Sequence, residues 1–85
     1  MAKVISIDPG KSKCGLVLAE TSEKKIYDAI ILKSELIESY VRNLNTVENI
    51  SKIIIGNGTT SREITKKMDF FKKEKIIFEE KNTTY

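Results

Sequence analysis

Val4-Ile5-Ser6-Ile7-Asp8-Pro9-Gly10, followed by Lys11-Ser12-Lys13-Cys14-Gly15-Leu16-Val17-Leu18, decides how this chain is read. A short apolar run delivers one carboxylate to a Pro-Gly turn, and a second run heads back. Strand, acid, tight turn and strand together hold Asp8 at the rigid end of a sheet, where a carboxylate can bind a metal ion or face a phosphate. A plainer reading stands beside this one. Asp, Pro and Gly are all turn formers for local backbone reasons, and Asp8 then only starts the turn.

Working outward, Gly15 to Glu20 reads as a second strand and the polar Thr21-Ser22-Glu23-Lys24 as a hairpin connection. Lys25 to Leu32 is a third strand, rich in β-branched and aromatic residues. From Ser34, a candidate N-cap, the period changes. Leu36, Ile37, Tyr40, Val41, Leu44 and Val47 recur at helical spacing, opposite Glu35, Glu38, Arg42 and Asn43, which predicts a helix over 34–49. Lys52 to Ile55 is a fourth strand whose continuous apolar run implies burial on both faces. After the Gly56–Ser61 loop, Thr60 and Glu63 have capping-box spacing. Ile64, Met68 and Phe71 then mark the apolar face of a helix over 60–73, with Lys66, Lys67, Lys72 and Lys73 on its solvated side. Lys75 to Glu80 is a fifth strand. The order β-β-β-α-β-α-β predicts an α/β fold in one domain over 1–85. Its five-stranded mixed sheet has three antiparallel strands, then parallel strands reached by helical crossovers.

The 85 residues, 40% of them hydrophobic, are enough for one modest core. A lone Cys14 and no His exclude an intrachain disulfide and a Cys/His zinc site, which fits a reducing, cytoplasmic setting. Lys3, Asp8, Lys11 and Lys13 put charge through the first twenty residues, so these form neither a signal peptide nor a membrane span. A net charge of +3 and a pI near 9.0 permit a polyanionic partner without demanding one.

In open α/β sheets, functional groups collect where parallel strands end at their carboxyl edge. Asp8, the Gly56–Ser61 loop and Glu79-Glu80 all end there. With the first, fourth and fifth strands adjacent, Asp8 approaches an acid of the fifth. The two carboxylates repel one another and no imidazolium is at hand. A divalent cation would neutralise them, and oxygen-only ligands from Asp8, Glu80 and Glu79 point to Mg²⁺ or Mn²⁺.

Ile7-Asp8-Pro9-Gly10, Lys13-Cys14-Gly15-Leu16, Ile55-Gly56-Asn57-Gly58-Thr59 and Glu79-Glu80-Lys81-Asn82-Thr83-Thr84 appear in an order and at a spacing that resembles the YqgF-type proteins. These are RNase H-like nucleases related to Holliday junction resolvases, and the resemblance covers nearly the whole chain. It implies a metal-dependent phosphodiesterase fold linked to ribosomal RNA maturation or branched-DNA processing. The family's first-strand acid corresponds to Asp8. The Glu of its "DERxTT" motif corresponds to Glu80, with Glu79 in place of the Asp, Lys81 in place of the Arg, and Thr83 and Thr84 as the paired threonines. In the mechanism this implies, Asp8 and Glu80 hold one or two Mg²⁺ or Mn²⁺ ions. Asn57, Thr59, Thr60 and Ser61, with the loop's backbone N–H groups, contact a phosphate at the start of the second helix. Lys11, Lys13 and Lys81 hold the nucleic-acid backbone. The structural alternative is that Thr60 only caps the helix and that Gly56 and Gly58 only turn the chain.

RNase H-like nucleases generally use a third acid, an Asp on a helix after the fifth strand. Here the sequence ends at Tyr85, directly after the Thr-Thr pair, and Asp69 and Glu74 lack that context. The expectation is a minimal or truncated domain with an incomplete active site. Its sheet face over the first, fourth and fifth strands would be partly uncovered and prone to homo-oligomer formation. Two rival readings remain. One is a fragment of an actin-like or sugar-kinase ATPase domain, which shares the core order and a strand-Asp-x-Gly phosphate turn. The other is a non-catalytic module that binds protein or structured RNA. Against the ATPase, no second phosphate motif is visible. Against the RNA module, there is no RNP-type aromatic pair.

Overall fold

Isoleucine at alternate strand positions builds this molecule from the inside. Ile5 and Ile7, Ile53 and Ile55 are buried, while the residues between them point to the other face. The computed structural model describes residues 2–58 and 60–78, Phe78 by its backbone alone. The strands are β1 (Lys3–Asp8), β2 (Lys13–Glu20), β3 (Lys25–Lys33), β4 (Ile50–Gly56) and β5 (Glu74–Phe78), and the helices are α1 (Ile37–Val47) and α2 (Ser61–Lys67). They form a mixed five-stranded sheet in the order β3-β2-β1-β4-β5. The β1–β2 and β2–β3 pairs are antiparallel, and β1–β4 and β4–β5 are parallel. The α/β architecture and the direction of every strand are those expected from the sequence.

Register sorts the side chains by face. Ile5 aligns with Leu18 and Ile53, and Ile7 with Leu16 and Ile55. Both rows join Ile37 and Val41 of α1, Ile64 of α2, and Met68 and Phe71 in one buried cluster. The helices therefore cover one face, and burying each such side chain contributes roughly 1.5–3 kcal/mol. The opposite face carries Ser6, Asp8, Val17 and Ile54, of which Ser6 and Asp8 are exposed. Ile54 is only half-buried, so the apolar run of β4 is not covered equally on both sides. On the sheet, the large exposed apolar side chains lie at the outer strands, with Ile26, Tyr27 and Ile31 on β3 and Ile77 on β5. The centre of the open face is instead interrupted by Ser6, Asp8 and Lys52.

Both helix starts differ from expectation, for one reason. Ser34 opens a 3₁₀ turn (Ser34–Leu36) without capping it, and its hydroxyl donates to the Gly10 carbonyl at 2.8 Å. Thr60 sits at the N-cap of α2 but makes no capping bond, and its hydroxyl also reaches the Gly10 carbonyl, at 3.2 Å. The Thr60–Glu63 capping box does not form. Each hydroxyl is turned to donate to Gly10, and its oxygen accepts no helix N–H as a capping oxygen would. The second helix is correspondingly short, continuing as a 3₁₀ turn over Met68–Phe70, so Lys72 and Lys73 fall in the connection beyond it. Leu36 and Val47, expected on the apolar face of the first helix, are exposed.

At the opposite end of the sheet, buried Glu20 accepts from Ser22 Oγ and the Tyr27 hydroxyl, while Lys3 pairs with Glu48 and lies over the Tyr27 ring. The Glu48 hydrogen bond raises the Lys3 pKa, and desolvation raises that of Tyr27. This network closes the end of the sheet farthest from Asp8. Among the described residues, no helix is long and apolar enough to cross a membrane.

One-sided cover has a measurable consequence. Ile53→Ala empties a fully buried position and should lower stability by about 2–5 kcal/mol in urea unfolding. Ile31→Ala, at a side chain 77% exposed, should stay within about 0.5 kcal/mol of wild type. Equal losses from the two would contradict this assignment of faces.

Candidate functional site

Asp8 is the last residue of β1, the central strand of the sheet. Both flanking strands lack a side chain at its level. Gly15 of β2 is its register partner, and a Cβ there would lie 3.5 Å from Asp8 Cβ. A Cβ on Gly56 of β4 would lie 4.0 Å from Asp8 Oδ1 and 3.4 Å from Pro9 Cδ. Glycine inside a strand marks a place where something approaches closely. Here the two glycines leave the carboxylate standing between two hollows. A cleft of about 350 Å³ opens toward β4, lined by Ser6, Asp8, Ile54, Asn57 and the backbone of Gly56 and Gly58. A shallower recess of about 570 Å³ opens toward β2 and β3 over Gly15, Val17, Ala29 and Ile31. Asp8 is exposed and makes no ion pair with any described residue.

The turn that follows is rigidly held. A Cβ on Gly10 would fall 2.2 Å from the Lys13 carbonyl oxygen, so no side chain fits there. The Gly10 carbonyl accepts the Ser34 and Thr60 hydroxyls together. Because Ser34 has one hydroxyl proton and it goes to Gly10, the Cys14 thiol is the donor in its 3.3 Å contact with Ser34 Oγ. The Ser34 N–H donates to the Ser12 carbonyl at 2.9 Å. The Asp8 turn is thus bolted to the entry of both helices.

The expected site residues divide into three groups. Asp8 and Asn57 share the cleft. Thr60 and Ser61 border the loop, with their hydroxyls engaged by protein acceptors: Thr60 with Gly10 O, and Ser61, which is buried, with Asn57 Oδ1 at 3.3 Å. Lys11 and Lys13 are exposed and line a separate groove beside Lys33. Thr59, Glu79, Glu80, Lys81, Thr83 and Thr84 lie outside the described residues, so the expected approach of Glu80 to Asp8 does too. The described part of β5 ends with Phe78 in register with Gly56, at the level of the cleft.

Asp8 is the one carboxylate among the described residues that line the cleft, and no three His, Cys, Asp or Glu residues gather there or elsewhere among them. The cleft's polar side chains are the Asp8 carboxylate, the Ser6 hydroxyl and the Asn57 amide, and their oxygens suit a hard cation rather than a soft one. Ser6, Gly15, Ile54 and Lys33 were not singled out from the sequence. The first two follow from strand alternation and from the pairing that the Pro9–Ser12 turn imposes. Compared with known proteins, the chain matches no protein-family model, and no curated protein is significantly similar to it.

Gly10 and Gly58 make a matched pair for testing the turn. Gly10→Ala forces a carbon against a backbone oxygen and should destabilise by about 1–3 kcal/mol. Gly58→Ala meets only ordinary contacts, 3.5 Å from Pro9 O, at a backbone angle open to alanine. It should be neutral or stabilising by up to about 1 kcal/mol. Chemical denaturation of both variants measures the difference.

Proposed function

We propose that this chain is an RNase H-like, resolvase-related domain that engages the phosphodiester backbone of nucleic acid at the carboxyl edge of its sheet, with Asp8 as a ligand for Mg²⁺ or Mn²⁺. One observation carries the reading: an exposed carboxylate ends the central strand, set between two glycines, in a sheet whose β4 and β5 run parallel to β1. That geometry wastes no rigidity on a simple turn. A turn-starting Asp needs neither bare neighbours nor an adjoining cleft.

A carboxylate accepts hydrogen bonds and repels a phosphate, so Asp8 works on a phosphodiester only through a cation. A bound divalent ion would offset that repulsion and lower the pKa of a coordinated water. The Gly10 clamp holds the backbone of the turn that follows Asp8, and so the point from which its carboxylate projects. Gly15 and Gly56 keep flanking side chains out of the ligand's path. Asn57, aligned by Ser61, offers an amide on the far wall of the cleft. Glu80, with Glu79 beside it, is the candidate for the second carboxylate, and the substrate class is branched DNA or precursor ribosomal RNA. A second reading, a nucleic-acid-binding module without catalysis, is favoured by Asp8 being the only described carboxylate in the cleft.

The test measures binding and cleavage of four-way DNA junctions and structured RNA in Mn²⁺ for wild type, Asp8→Asn and Glu80→Gln. Wild type should bind more tightly with Mn²⁺ than with EDTA. Asp8→Asn, at an exposed position, should keep the fold and lose that cation dependence. Cation-dependent binding that survives both substitutions would put the site elsewhere. Cleavage by wild type that is lost in both variants selects the nuclease over the binding module.

A further inference from the structure

Lys13 and Lys33 occupy directly opposed positions on β2 and β3. Like charges opposite one another across a strand pair destabilise it. Lys11 joins them from the turn, and the three lysines line a groove of about 340 Å³ together with Ser12, Ser34 and Glu35. Glu35 is the sole acid at this groove, and none of the three lysines makes an ion pair with a described residue. The chain elsewhere pairs several of its lysines, Lys3 with Glu48, Lys52 with Glu74 and Lys75 with Asp69. Lys24, Lys25, Lys66, Lys67, Lys72 and Lys73 also make no ion pair with a described residue, so what distinguishes this group is the placement of Lys13 and Lys33 in direct register.

Its position matters as much as its charge. Residues two apart on a strand share a face, about 7 Å apart. Lys13 thus follows Gly15, and Lys33 follows Ile31, on the open face. Gly15 and Ile31 floor the recess that begins at Asp8. The lysine groove lies at the same end of the sheet, two residues beyond the Gly15–Ile31 row on each strand.

We propose that Lys11, Lys13 and Lys33 form a phosphate clamp for the strand whose backbone passes Asp8, holding a neighbouring phosphate so that register along the edge is set. This rests on the nucleic-acid reading above and adds Lys33 and a direction: the strand leaves Asp8 across β2 toward β3. Flexible ammonium groups suit such a task, since each meets a phosphate as a point charge without reading sequence.

Two measurements separate this clamp from the reading it rests on. In the first, tripolyphosphate is the probe and thermal unfolding the readout, with no nucleic acid present. Wild type should be protected, the Lys13→Gln/Lys33→Gln variant should not, and Lys66→Gln/Lys72→Gln, which removes equal charge from α2 and the segment after it, should be protected like wild type. In the second, binding of a labelled DNA junction is followed against KCl in EDTA. Removing two phosphate contacts should flatten the slope of log K against log salt by about 1.8, at about 0.9 per contact on duplex DNA. The Lys66→Gln/Lys72→Gln control should keep the wild-type slope. Equal loss in both double variants, or no loss in either, overturns the clamp. If cation-dependent binding through Asp8 persists in that case, the proposed function stands without it. Tripolyphosphate protection with no binding by wild type of either the DNA junction or structured RNA overturns both the nucleic-acid occupant and the proposed function.

Discussion

The Gly10 carbonyl accepts hydroxyl hydrogen bonds from Ser34 and Thr60 together, and the site depends on that double acceptance. One bond anchors the turn after β1 to the entry of α1, the other to the entry of α2. A buried thiol, Cys14, supports the first by donating to Ser34 Oγ. A net hydrogen bond is worth only about 0.5–1.5 kcal/mol. These bonds act at a turn already forced by Gly10, where a Cβ has no room, so their effect is to select one arrangement rather than to supply bulk stability. The cost falls on the helices, which give up their own N-terminal caps. Local helix stability has been exchanged for a fixed point at the end of the central strand.

That exchange explains which parts of the molecule were legible in the sequence. The strands were, because β-branched residues and the change of period at Ser34 are local signals. The parallel direction of β4 and β5 followed from the intervening helices. Asp8 at a strand end was legible for the same reason. The roles of Ser34 and Thr60 were not, since both sit where an N-cap belongs and their actual acceptor is 24 and 50 residues away. Ile53-Ile54-Ile55 reads as an evenly buried run, but only a structure shows that the helices lie on one side. The glycines beside Asp8 were visible as residues, yet their alignment with the acid depends on register across two different strands. Nothing local in the sequence marks Lys33, whose place opposite Lys13 comes from the pairing of β2 with β3.

Charge is distributed along the sheet with the same logic. At the end away from Asp8, Lys3, Glu20, Tyr27 and Glu48 satisfy one another in a partly buried network, with the lysine and tyrosine held in their protonated forms. At the Asp8 end, a bare carboxylate lines an open recess and a group of lysines lines a groove near it. A phosphodiester with its cation complements that pattern, with the cation on the carboxylate and the backbone charge on the lysines. An apolar ligand does not, because the centre of the open face presents Ser6, Asp8 and Lys52.

The proposed cation site lies at Asp8, between Gly15 and Gly56. Paramagnetic broadening of backbone amide resonances by substoichiometric Mn²⁺ tests it most directly. Broadening should centre on Asp8, Gly15, Gly56 and Asn57 and be lost in Asp8→Asn. Broadening centred instead on Glu20 and Glu48, on exposed acids such as Asp28 or Asp69, or unchanged in Asp8→Asn, would contradict it.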